Sequence, residues 1–135
     1  MNFLISILLL LLPIINNDKA EIKIIIENIK HDKGQIIIGI CDSEDNFPKK
    51  PFIRKSVAIK NGVATLVLKN IEYGEYAISI IHDENSNGKI DFHFYGPPKE
   101  QTAASNNAKS FFGPPSWDDA KFIIDKEFVE VKIRM

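Results

Sequence analysis

A single cysteine, Cys41, rules out an internal disulfide and any Cys-x-x-Cys redox or zinc motif. Stability must therefore come from the core, with a bound ion as the available supplement. Cys41 ends an apolar run and has no base beside it, so it reads as a small buried hydrophobe. There is no surplus of positive charge either. The net charge of −1 gives no electrostatic case for nucleic acid and leaves no polybasic membrane patch. Gly-rich phosphate loops and Gly-x-Ser-x-Gly elbows are absent. So is any long amphipathic helical repeat.

The apolar run from Phe3 to Ile15 is too short to span a bilayer, which takes about 20 residues. Its length fits the apolar region of a secretory signal, broken at Pro13 and followed by the polar exit Asn16-Asn17-Asp18-Lys19-Ala20. No Lys or Arg precedes it, and Ala20 has Asp18 two residues before it, so an uncleaved anchor is the rival reading. The expected layout is a signal or anchor over 1–20 and one domain over 21–135. The mature chain would carry no membrane span and would sit in the periplasm or outside the cell.

From residue 21 onward the pattern is that of strands. Ile22, Ile24 and Ile26 alternate with Glu21, Lys23 and Glu27, the period of a half-buried strand. Residues 35–41 read as a strand buried on both faces. Asn61-Gly62 between 56–60 and 63–68 predicts a hairpin with a type I′ turn. A fifth strand covers 75–81, and 121–124 with 128–133 predict a closing hairpin. About seven short strands point to an all-β fold, a single antiparallel β-sandwich of immunoglobulin-like or transthyretin-like kind. Gly74-Glu75-Tyr76 suits a tyrosine that plugs a sheet corner.

Residues 83–119 show no convincing strand, yet a loop beyond about 12–15 residues in a compact domain is usually functional or disordered. Its aromatic residues and its two Gly-Pro-Pro steps argue for order, with the loop folded over a sheet edge or a sandwich end. Ser116-Trp117-Asp118-Asp119 has capping-box spacing and predicts a helical turn. Adjacent Asp118 and Asp119 read as capping or surface groups rather than as an acid–base pair.

The run His82-Asp83-Glu84-Asn85-Ser86-Asn87-Gly88-Lys89-Ile90-Asp91 is the strongest chemical lead. A Ca²⁺ ion needs about six to eight oxygens, and loops supply them from alternate Asx residues with a turning Gly. Asp83, Asn85 and Asn87 stand at positions one, three and five, and Gly88 at six. The Lys89 carbonyl follows at seven and Asp91 at nine. Position twelve is Phe94, so this is no EF-hand. Glu84 would join only by bending back, and Glu100 only if the loop folds onto the site. Two carboxylates alone imply weak, structural binding, roughly 10⁻⁴–10⁻³ M. The same residues also make ordinary Asx turns without a metal. His82 and His93 stand 11 residues apart with His31 remote in sequence, so they read as solvated or turn-capping residues rather than as zinc or copper ligands. Tyr95, Phe111, Phe112 and Trp117 serve either as the sandwich's own lid or as a stacking platform for an envelope sugar or peptide. Ser105-Asn106-Asn107 either bonds a ligand or forms turns.

Several of these motifs occur together in one order. Gly74-Glu75-Tyr76 and His82–Asp91 are followed by Gly96 and Pro98-Lys99-Glu100. Then come Ser105-Asn106-Asn107-Ala108, Phe112-Gly113-Pro114-Pro115 and Asp119-Ala120-Lys121-Phe122. The set resembles the bacterial family called domain of unknown function 2141, from about residue 20 to the end. Pro97 stands where that family has an apolar residue, and Trp117 where Phe is frequent. The resemblance implies a small exported β protein and supplies no activity and no catalytic residue. The resulting expectation is an exported, non-enzymatic β-sandwich with a calcium-type loop at 83–91. The alternative is an envelope ligand-binding module.

Overall fold

Alternation of isoleucine with charged residues makes the first strand, β1 (Lys19–Glu27), bury Ala20, Ile22, Ile24 and Ile26 on one face. The computed structural model describes residues 13, 18–94, 96 and 98–135. The export segment expected over 1–20 therefore lies almost wholly outside the described residues, although β1 already begins at Lys19. No helix among the described residues is long and apolar enough to cross a membrane.

Seven more strands follow. They are β2 (Gln35–Cys41), β3 (Ile53–Ala58), β4 (Ala64–Glu72), β5 (Gly74–Asp83), β6 (Thr102–Ala104), β7 (Phe122–Ile124) and β8 (Phe128–Arg134). One sheet has the order β4-β1-β8, and the other runs β3-β2-β5-β6, with β7 also on β5. All pairs are antiparallel except β1 with β8. The two sheets enclose one core built mainly of isoleucine, from Ile22, Ile24 and Ile26 across to Ile36, Ile38, Ile78 and Ile80. β-Branched side chains suit a pleated, packed surface. Each fully buried isoleucine contributes about 1.5–3 kcal/mol. The all-β sandwich is therefore what the pattern predicts.

β2 is buried on both faces as expected, and a second cluster covers its outer side at Cys41. There Cys41, Ala77 and Ala104 meet Trp117 and Ala120 of the short helix α1 (Trp117–Ala120). Ser116 caps that helix by accepting from Asp119 N at 3.2 Å, as its spacing predicts. Cys41 is fully buried, and burial with the nearby Asp42 charge pushes its thiol up to about 11. Tyr76 is buried and donates from its hydroxyl to Glu72 O at 2.6 Å, the corner plug read from Gly74-Glu75-Tyr76.

Three expectations need correction. Asn61-Gly62 does turn the chain, with positive φ at both residues and Lys60 paired to Val63. The strands on either side then part, because β3 joins one sheet and β4 the other. Asp32 holds this turn, its carboxylate accepting from the Asn61 and Gly62 amides at 2.8 Å each. Likewise β7 and β8 do not form a hairpin: β7 pairs with β5, and β8 with β1. Turn chemistry sets where a chain reverses but does not say whether the next strand stays in the same sheet. Finally, the segment 83–119 contains a strand, β6, held on β5 at Ser79–Ile81. At three residues it is too short to show a period.

Candidate cation site

β5 ends at Asp83, opposite Gln35 at the start of β2. Strand alternation turns Asp83 toward the outer face of the sheet and His82 toward the face that carries Tyr76, Ile78 and Ile80. Asp83 is 0 % exposed. Its Oδ2 accepts from Gln35 Nε2 and from Gly88 N, both at 2.8 Å, and its Oδ1 accepts from Asn87 N at 3.2 Å. The chain can wrap this carboxylate because Ser86 and Gly88 take positive φ, 54° and 77°. Arg54 of β3 pins the loop from the side by donating to Gly88 O.

The other predicted ligands gather as well. Asn85 Nδ2 donates to Asp91 Oδ2 at 2.9 Å, and Asn87 Nδ2 reaches both Asp91 oxygens at 2.9–3.0 Å. Asn85 Oδ1 accepts from Asn87 N, and Asn87 Oδ1 accepts from Lys89 N. Lys89 thus enters this network through its amide. These are Asx turns, and each amide oxygen keeps a second lone pair.

Beyond Asp91 the chain doubles back. Lys99 N donates to Asp91 O at 2.7 Å, Phe92 bridges to Pro98, and His82 N donates to Gln101 O. This return carries Glu100 into the site. Glu100 is buried and accepts from Asp91 N at 3.3 Å, with the Asp83 and Asp91 carboxylates near enough for their charges to act on it. Asp83, Asp91 and Glu100 therefore stand together. Among the described residues no Lys or Arg forms an ion pair with any of them.

That crowding sets the electrostatics. Burial and the charges of Asp83 and Asp91 raise the Glu100 carboxyl above its ordinary value. Burial also works against the Asp83 anion, but the hydrogen bonds from Gln35, Gly88 and Asn87 outweigh it and hold that carboxyl low. Glu84 does not bend into this cluster. It faces away, its Oε1 lying 3.0 Å from His31 Nε2. Nor is His82 a solvated residue, since it is fully buried and its ring centroid lies 4.9 Å from that of His31. The pairing of β2 with β5 brings together two histidines that are remote in sequence.

The order of these parts matches the family described as an uncharacterized protein conserved in bacteria, domain of unknown function 2141 (DUF2141), over residues 24–132. The chain belongs to that family. No curated protein and no solved structure matches this DUF2141 chain.

The remaining motifs of the DUF2141 domain separate into structural and exposed groups. Trp117 packs edge-on against Phe47 in the second cluster, so it is no part of a stacking platform. Phe111 and Phe112 form an edge-to-face pair 5.4 Å apart and are 95 % and 87 % exposed, so they do not cover the sandwich. Tyr95 lies outside the described residues. Ser105-Asn106-Asn107 is a structural knot. Ser105 Oγ accepts from Ile78 N and donates to Ala120 O. Asn106 bonds Asp119 O and Lys121 O, and Asn107 accepts from Arg134 N. Asp118 pairs with Lys121 at 3.1 Å, the surface role read for it. Sequence reasoning missed Gln35 and the pairing of His31 with His82. Both depend on strand register, which local pattern does not reveal.

Proposed function

We propose that this DUF2141 domain is an exported, non-enzymatic β-sandwich whose 83–100 flap is ordered by a hard cation of the Ca²⁺ type. It would act as a binding or structural module in the periplasm or outside the cell. One observation carries the reading: Asp83, Asp91 and Glu100 converge without a basic counter-charge among the described residues, two of them buried. A buried carboxylate needs hydrogen bonds or a cation. Hydrogen bonds serve Asp83, while Glu100 remains opposed by its two neighbours. A divalent ion would relieve that repulsion. Asn85 and Asn87 would add oxygen donors, as would the Lys89 carbonyl. Three carboxylates rather than two put the expected affinity near the tighter end, roughly 10⁻⁴ M.

Calorimetry of EDTA-stripped protein tests this. Calcium at about 100-fold excess over Kd stabilises by about 2.7 kcal/mol, several degrees in Tm. Asp91→Ala should abolish that rise. An identical melting curve with and without calcium for the unaltered chain would refute the reading.

A second reading rests on the exposed Phe111–Phe112 pair. Apolar rings of this size standing in water favour a contact surface for a sugar or peptide. A shift in the Phe111 and Phe112 ring resonances on adding envelope oligosaccharides or peptides checks it. Trp117 is buried and would stay silent.

A further inference from the structure

We propose that His31, His82 and Glu84 form a second metal site, for a divalent transition metal such as Zn²⁺ or Cu²⁺, separate from the carboxylate site on the other side of β5. One donor atom from each of the three residues lies within 4.8 Å of the others. His31 Nε2 and Glu84 Oε1 are already 3.0 Å apart. Tetrahedral Zn²⁺ with ligands at about 2.0–2.2 Å needs donors a little over 3 Å apart, so small side-chain shifts close the set.

The second, independent observation is the state of His82. Its ring is fully buried. Nε2 lies 2.8 Å from Lys33 O, a pure acceptor, so Nε2 carries the proton. Nδ1 is left as a bare lone pair, buried and without a hydrogen-bond partner among the described residues. Buried polar atoms are rarely left so, and an orphan of this kind marks a role the protein alone does not fulfil. A histidine that donates one ring N–H to a backbone carbonyl and presents its other nitrogen has the arrangement of a metal ligand. His31 is oriented by the same residue, since Lys33 N lies 3.3 Å from its Nδ1. That contact is long and yields easily if the ring changes tautomer.

The donor set distinguishes the metal class. Two imidazoles and one carboxylate suit Zn²⁺ and Cu²⁺, whereas the all-oxygen cluster of Asp83, Asp91 and Glu100 suits a hard cation. His82 and Asp83 are neighbours in sequence but face opposite sides of the strand, so the two sites share no ligand. His31 and Glu84 are partly exposed, so the site opens to solvent. Three protein donors leave a coordination position for water or an outside ligand.

The test is a Zn²⁺ titration of the untagged full chain with excess Ca²⁺ present, which keeps the first site occupied. One equivalent should bind at about pH 7.5. His31→Ala and Glu84→Gln should each weaken binding about ten-fold or more, while Asp91→Asn should not. His82→Gln alters the core and is not needed for the decision. With Cu²⁺ as the probe, electron paramagnetic resonance should show coupling to two imidazole nitrogens in the unaltered chain and to one in His31→Ala. Absence of a stoichiometric Zn²⁺ or Cu²⁺ complex would overturn the proposal. So would equal affinity in the unaltered chain, His31→Ala and Glu84→Gln. Failure of the calcium experiment would leave this result unaffected.

Discussion

Gln35 and Asp83 face each other across β2 and β5, and Gln35 Nε2 donates to Asp83 Oδ2 at 2.8 Å. A backbone pair and a side-chain bond thus tie the sheet to the loop at one point. Asp83→Ala leaves Gln35, Gly88 and Asn87 without their acceptor. A loss of roughly 3 kcal/mol is expected in urea unfolding with EDTA present. Gln35→Ala removes one donor only and should cost about 1 kcal/mol.

The carboxylates give opposite pH slopes. Asp83 is held low, so its contribution is complete above its ordinary value of 3.8 and disappears as pH falls through the lower folded value. Glu100 is raised, so its protonated form favours the folded state. That stabilisation is present below its ordinary value of 4.5 and is lost as pH rises through the higher folded value. Calcium-free protein should therefore melt at a higher temperature near pH 4.5 than at pH 7, and calcium should remove the difference. Glu100→Gln should raise Tm at pH 7 in EDTA and shrink the calcium increment. Scanning calorimetry across pH, with and without calcium, measures both.

Gly34 takes φ of 80° between the His31-Asp32-Lys33 turn and β2. A Cβ there would lie 2.2 Å from Asp83 O, a backbone atom that cannot swing aside. Gly34→Ala should cost at least about 2 kcal/mol, from strain and overlap together. Amide exchange should localise the damage to the start of β2 and the end of β5.

Ser105 is fully buried and joins Ile78 N of β5 to Ala120 O of α1 through one hydroxyl. Ser105→Ala should destabilise the domain by about 2 kcal/mol, because a buried N–H and a buried carbonyl lose their partner. The accompanying sign is loosening of Trp117, read as a red shift of its emission.

Phe111 and Phe112 are solvent-exposed, so replacing both by Ser should change stability by no more than about 0.5 kcal/mol. Solubility should improve. Any ligand that depends on the aromatic pair should lose its binding, which surface titration would report.

Much of the framework was legible because one face of each long strand is buried. Alternation at Ile22, Ile24 and Ile26 and the apolar run at 35–41 fix the strands of a sandwich. The Asx spacing from Asp83 to Asp91 likewise marks a loop whose side chains gather, since local backbone and nearby side chains suffice to close it. What stayed hidden depends on long-range pairing. Asn61-Gly62 reverses the chain, yet which sheet receives Ala64 depends on where β1 offers an edge. Glu100 reaches Asp91 only through the return of residues 98–101, and His31 reaches His82 only through the register of β2 on β5. Phe111, Phe112 and Trp117 look alike in composition. One buried slot beside Phe47 takes Trp117 and leaves the pair outside.

The seat of β1 between β4 and β8 has a consequence for how the domain assembles. The first strand cannot satisfy its second edge until residues 128–134, far along the chain, come to lie beside it. Until then Ile22, Ile24 and Ile26 sit on a strand with one bare ladder of amides and carbonyls, a template for mispairing. A stop codon shortly before residue 128 would thus produce an adhesive strand rather than a slightly smaller sandwich, and it would do so while sparing every residue of the loops around His31 and Asp83.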